Sequence, residues 1–121
     1  MKRILIILIM MMAITGIQAQ KISHIEATRS WYYVYDDNGK KVHTFSTTQG
    51  EVVAYSDSFY IVKHGSWYYT YDAKGKKLYT FSVSNVGEVL NAAGDTFTSR
   101  KGSWIYTWDK KGKKIATRSA H

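Results

Sequence analysis

The 121-residue chain contains no cysteine and no proline. Without cysteine there is no disulfide, no thiol nucleophile and no thiolate metal site. Stability must then come from packed apolar area and main-chain hydrogen bonds. Average usage near 5% would place about six prolines in this length. Their absence removes the main breaker of a strand ladder and fits a chain that spends most of its length in paired strands. Aromatic residues are plentiful by contrast, with ten tyrosines and four tryptophans, and these rings favour pleated, half-buried surfaces.

Long apolar runs are nearly missing as well. One unbroken run, Ile4 to Ile14, follows the cationic Met1-Lys2-Arg3 and precedes Thr15-Gly16-Ile17-Gln18-Ala19. It is shorter than the roughly 18 residues that a membrane-spanning helix requires. The three-part pattern predicts a signal peptide over 1–19, cut before Gln20, and no membrane anchor afterwards. Export to the periplasm or the cell exterior follows, and no cysteine follows the cut to carry a lipid. Without Lys2 and Arg3, the 17 Lys and Arg fall to 15 against 9 Asp and Glu, a net charge of about +6. The remaining residues, 20–121, suffice for a single domain.

That domain is built on an internal repeat. Ser30-Trp31-Tyr32-Tyr33-Val34-Tyr35-Asp36 recurs as Ser66-Trp67-Tyr68-Tyr69-Thr70-Tyr71-Asp72 and as Ser103-Trp104-Ile105-Tyr106-Thr107-Trp108-Asp109. Each copy runs on into Gly-Lys-Lys, at Gly39, Gly75 and Gly112. The first two copies then reach Thr-Phe-Ser at 44–46 and 80–82, where the third has Thr117-Arg118-Ser119. Gly50-Glu51-Val52 and Gly87-Glu88-Val89 recur between them. The repeats lie near 30–65, 66–102 and, incomplete, 103–121. Asp-x-x-Gly between strand-forming runs signals a hairpin, and His64-Gly65 and Lys101-Gly102 form shorter turns. Strands are expected near 22–29, 31–36, 41–47, 51–56, 59–64, 67–72, 77–83, 87–92, 96–101, 104–109 and 113–118. The expectation is an all-β antiparallel up-and-down meander of about eleven short strands, barrel-like or built of propeller-blade-like units. A closed barrel is attractive because it removes the sheet edges.

Lys63-His64-Gly65-Ser66-Trp67-Tyr68-Tyr69 with Asp72-Ala73-Lys74-Gly75-Lys76-Lys77-Leu78 resembles the bacterial WG β-repeat family, and the segment from Lys101 to Ile115 does so too. Tyrosine or isoleucine stands where that family has glycine after tryptophan, and the likeness covers about half of the chain after the leader. The Trp-Tyr-Tyr hairpins are also similar, more faintly, to choline- and glucan-binding repeats of cell-wall proteins. Both resemblances imply a non-catalytic repeat scaffold, and the second implies a sugar or choline ligand.

The chemistry-bearing residues argue against an enzyme. His24, His43, His64 and His121 have no metal-ligand spacing, and Asp36, Asp72 and Asp109 share one turn position, so neither a metal, a cofactor nor a catalytic pair is expected. Asp36-Asp37-Asn38-Gly39 reads as a turn, because an EF-hand loop spans twelve residues ending in glutamate. Lys40, Lys41, Lys76, Lys77, Lys113 and Lys114 decorate equivalent turns and form a basic rim. The rim serves solubility and edge protection first and attraction of anionic polymers or surfaces second. Alternation places Trp31, Tyr33 and Tyr35, and their equivalents, on one strand face, which is expected to be the core. Tyr32 and Tyr68 on the opposite face are then the expected exposed rings, with Trp104 and Trp108 partly open near the end of the array.

The resulting expectation is a module that binds a glycan or other surface polymer through Tyr32, Tyr68, Trp104, Trp108 and the lysine rim. Two alternatives stand beside it. One is a structural or protein-interaction module that self-associates, as a homo-oligomer, or pairs through sheet edges. The other is electrostatic adhesion to anionic surfaces. Export ranks nucleic acid last among the partners.

Overall fold

A computed structural model describes residues 21–121, so the leader assigned to 1–19 lies outside the described residues. The described chain forms eleven strands: β1 (Ile22–Ala27), β2 (Trp31–Asp36), β3 (Lys41–Ser46), β4 (Glu51–Tyr55), β5 (Tyr60–His64), β6 (Trp67–Tyr71), β7 (Lys77–Ser82), β8 (Glu88–Ala93), β9 (Thr96–Lys101), β10 (Trp104–Asp109) and β11 (Lys114–Ser119). They make three antiparallel sheets of consecutive strands, β1–β3, β4–β7 and β8–β11. The closed barrel is therefore not formed.

The breaks between sheets have a local cause. After β3 the chain makes a 3-10 turn at Thr47–Gln49, and after β7 a single helical turn, α1 (Val83–Val86). Ser46 and Ser82 cap these turns, their hydroxyls accepting from the amides of Thr48 at 3.1 Å and Ser84 at 3.2 Å. Each turn ends the ladder and releases the chain into a new sheet. Gly50 and Gly87 follow, where a side chain would overlap the carbonyl oxygens of Lys63 and Arg100. The recurring Gly-Glu-Val is thus the device that starts a sheet close against its second strand.

The hairpins within sheets are closed by the repeated aspartate. Asp36 Oδ1 accepts from the amides of Asn38 and Lys40, both at 2.9 Å, and Asp72 Oδ1 does the same for Lys74 and Lys76. Asp109 accepts from Lys111 at 2.7 Å. These carboxylates are spent on main-chain donors, as the turn reading requires.

Two apolar clusters join the sheets in series. Ile22, Val34 and Phe45 of the first sheet pack on Tyr60, Val62 and Ala73 of the second. Phe59, Ile61, Tyr68 and Phe81 of the second pack on Phe97 and Trp108 of the third. Register fixes which residues share a face: Tyr32 opposes Phe45, Tyr68 opposes Phe81 and Ile105 opposes Arg118. The first and second sheets therefore present their Tyr32-type faces to the sheet that follows, and the second and third present their Trp31-type faces to the sheet before.

Tyrosine hydroxyls at the seams tie the series together. Tyr68 Oη donates to the Gly87 carbonyl at 2.8 Å, and Tyr32 Oη accepts from the Val52 amide at 3.3 Å. Val52 lies in β4 and Gly87 immediately precedes β8, so both bonds reach the start of the following sheet. Gly75 lies against the His43 ring and Gly112 against the Tyr79 ring, so a turn glycine of one sheet seats on an aromatic ring of the sheet before it. Thr70 Oγ1 adds a bond to the Lys110 carbonyl at 2.6 Å.

Candidate ligand-binding stations

The faces carry their rings differently from the sequence expectation. Tyr68 is buried at 4% exposure and Trp108 at 8%, and Tyr32 is half-buried in the first cluster. Their expected exposure is corrected by the packing just described, because these rings fill the space between sheets. Trp108 also donates its indole N–H to Ser99 Oγ at 2.9 Å inside the core. Trp104 is open as expected, at 49%.

The expected all-core face of Trp31, Tyr33 and Tyr35 is corrected too. Trp31, Trp67 and Trp104 are 47%, 48% and 49% exposed. Each opens its strand, opposite a serine at the end of the neighbouring strand: Ser46, Ser82 and Ser119. The strand start extends past the packed centre, so the first ring of the row stays in water. Tyr71 and Trp108, further along the same face, reach the core.

Each exposed tryptophan has the same companions. Two residues on stands Tyr33, Tyr69 or Tyr106, and over its ring lies the ammonium of Lys41 at 4.3 Å, Lys77 at 4.8 Å or Lys114 at 4.2 Å. Lys114 also lies 5.4 Å from the Trp108 ring. A cation over an aromatic face is worth about 0.5–1 kcal/mol at an exposed site. Three lysines of the expected rim, Lys41, Lys77 and Lys114, are thus joined to aromatic rings. Lys40, Lys76 and Lys113 are also exposed, and their carbonyls accept from Asp36, Asp72 and Asp109 at 2.9, 2.9 and 2.7 Å. Their role in the structure is to close the turns.

The station on the first sheet has additional neighbours. His24 stacks on Tyr35 at 4.7 Å and lies 3.4 Å from Glu26. Tyr33 and Tyr35 belong to neither cluster, so this face carries Trp31, Tyr33, Tyr35, His24, Glu26 and Lys41 with no sheet across it among the described residues. Among the described residues no three His, Asp or Glu side chains group as metal ligands.

Sequence reasoning missed Trp31, Trp67 and the tyrosines Tyr33, Tyr69 and Tyr106 as station residues. The signal was present in the spacing, since the second lysine of Gly-Lys-Lys follows the Trp-x-Tyr row by a fixed hairpin length in every copy. No family model matches the chain, and no curated protein matches it.

Proposed function

We propose that the chain is an exported, non-catalytic repeat module that binds a glycan or another surface polymer. Its three sheets would act as blade-like units of an incomplete propeller of the WG β-repeat type. The observation that carries this reading is the threefold recurrence of one half-exposed tryptophan beside one lysine-covered tyrosine. The strand start leaves this apolar ring in water at one register position in all three sheets, each time within a strand's reach of a lysine-covered tyrosine. Flat rings stack on sugar faces, and ammonium groups beside them hold hydroxyls or acidic substituents. Three weak stations on one chain give a polymer the advantage of multivalency.

A glycan array probed at low and high salt tests the proposal, with Trp31→Ala/Trp67→Ala/Trp104→Ala as the comparison. Binding should depend on sugar identity, survive salt in part, and fall about tenfold or more for each ring removed. Circular dichroism should remain unchanged, because the rings are outside the core. Binding that ignores sugar identity and vanishes with salt would leave only adhesion through the lysines. Absence of binding at either salt concentration overturns the reading.

A further inference from the structure

The first sheet is one strand short of the others. β5 carries β4 on its far edge and β9 carries β8, whereas β1 carries no strand there among the described residues. The Thr28 amide donates to the Trp31 carbonyl at 2.8 Å and closes the β1–β2 hairpin. Ladder alternation then aims the main-chain N–H and C=O groups of Ile25 and Ala27 away from β2, toward the open edge. A groove of about 340 Å³ runs beside that edge, lined by Ile25, Ala27 and Tyr32 on one side and by Glu51, Val52 and Ala54 of β4 on the other.

The rest of the molecule shows what such a groove holds. β4 packs against β8, first strand against first strand. A strand added to β1 would lie on β4 in the same way and continue that interface. Register also specifies its chemistry. Lys63 opposes Glu51 and Arg100 opposes Glu88. Ala27 holds the position of Lys63 and Arg100, since Tyr32 opposes Ala27 as Tyr68 opposes Lys63 and Ile105 opposes Arg100. No cation therefore awaits a carboxylate.

We infer that the edge of β1 takes up an extended, uncharged strand of a partner protein, with apolar side chains at alternate positions, by main-chain pairing to Ile25 and Ala27. This site shares no residue with the three stations, so it stands or falls apart from the polymer reading. Two synthetic peptides serve as probes on the purified protein: Gly-Thr-Val-Val-Ala-Tyr, which is Gly50 and the β4 sequence with threonine for Glu51, and Gly-Thr-Val-Pro-Ala-Tyr. The first should slow amide exchange at Ile25 and Ala27 about tenfold at saturation, and the proline peptide should not. Ala27→Lys, which restores the cation of the other sheets, should shift preference to Gly-Glu-Val-Val-Ala-Tyr. Failure of the first peptide to protect these amides, equal protection by the proline peptide, or an unchanged preference in Ala27→Lys overturns the inference. So does slow exchange in the protein alone, which would mean that the chain's own leader or a second copy fills the groove; light scattering distinguishes those two.

Discussion

Among the described residues the second sheet is covered on both faces, while the first and third each leave one face open, and the two open faces are finished in different ways. The first sheet keeps its aromatic row, Trp31, Tyr33 and Tyr35, and changes the flanking strand: His24 and Glu26 stand where the second sheet has Tyr60 and Val62. The third sheet changes the residues that an adjoining sheet would cover. Arg118 replaces the position of Phe81, Thr98 that of Ile61, Ala116 that of Tyr79 and Asn91 that of Ala54. Even the hydroxyl that bridges to a following sheet is gone, since Ile105 stands where Tyr32 and Tyr68 do. The open face of the third sheet is thus made polar by substitution, which suits a face that meets water. The first is left as a row of rings with a charged margin.

The largest test of this contrast is one repeat position read in two sheets. Phe81 packs edge-on against Phe97 and Trp108, at 5.3 and 5.6 Å between centroids, and is 4% exposed. Phe81→Ala should cost about 3–5 kcal/mol in urea unfolding, and Arg118→Ala no more than about 0.5 kcal/mol. Comparable losses would mean that the third sheet's outer face is covered after all.

The turn glycines give the next contrast. Gly39 and Gly75 both adopt positive φ, +79° and +87°, but only Gly75 has a ring against it. Alanine at either site meets the left-handed strain of about 1–2 kcal/mol. Gly75→Ala must in addition displace His43, for a total of about 2–5 kcal/mol. Thermal unfolding of the two variants should separate them by several degrees, and equal shifts would break the pairing of turn and ring.

A smaller effect is expected from the bridging hydroxyl. Tyr68→Phe leaves the ring in place and removes the bond to Gly87, at a cost of about 1 kcal/mol. Ile105→Tyr supplies the same hydroxyl on the third sheet, whose matching face meets no sheet among the described residues, and should leave the unfolding midpoint unchanged. A gain in stability from Ile105→Tyr would contradict the open face.

Strand positions were legible in the sequence because their ends carry explicit chemistry: Asp-x-x-Gly at one end and a short glycine turn at the other. Alternation also sorted the rings correctly into two faces. Which face lies in water was not legible, because that depends on the neighbouring sheet and not on the strand itself. Tyr32 and Trp31 have equal claims to burial until the order of the sheets is known. The choice between one closed sheet and separate blade-like sheets stayed open for a related reason. Ser46 and Ser82 end β3 and β7 and also cap the turns that follow, a second role that the strand pattern does not reveal, and a meander of paired strands reads equally well as one closed sheet. The change from Thr-Phe-Ser to Thr-Arg-Ser was visible throughout, but it marks an open face only once Phe45 and Phe81 are known to fill the space between sheets.

The smallest expected effect concerns pH and again compares one position in two sheets. His43 opposes Val34 as Tyr79 opposes Thr70, and each ring carries the turn glycine of the next sheet. Burial holds the His43 pKa below its ordinary value of 6.5, and the nearby Asp72 carboxylate offsets part of that fall. With the folded value depressed, the unfolded chain binds more protons between the two values, so stability rises with pH there and is lost as pH drops below about 6.5. Protonation places a charge in the joint between the first and second sheets, whereas the matching joint between the second and third has Tyr79 in place of the imidazole. His43→Tyr copies the second joint into the first. Unfolding midpoints at about pH 5 and pH 7.5 should then differ less in the variant than in the parent chain, since the exposed histidines are common to both. Equal pH sensitivity in the two proteins would show that the ring at position 43 is free to meet water when it takes up its proton, and that the first joint is looser than the second.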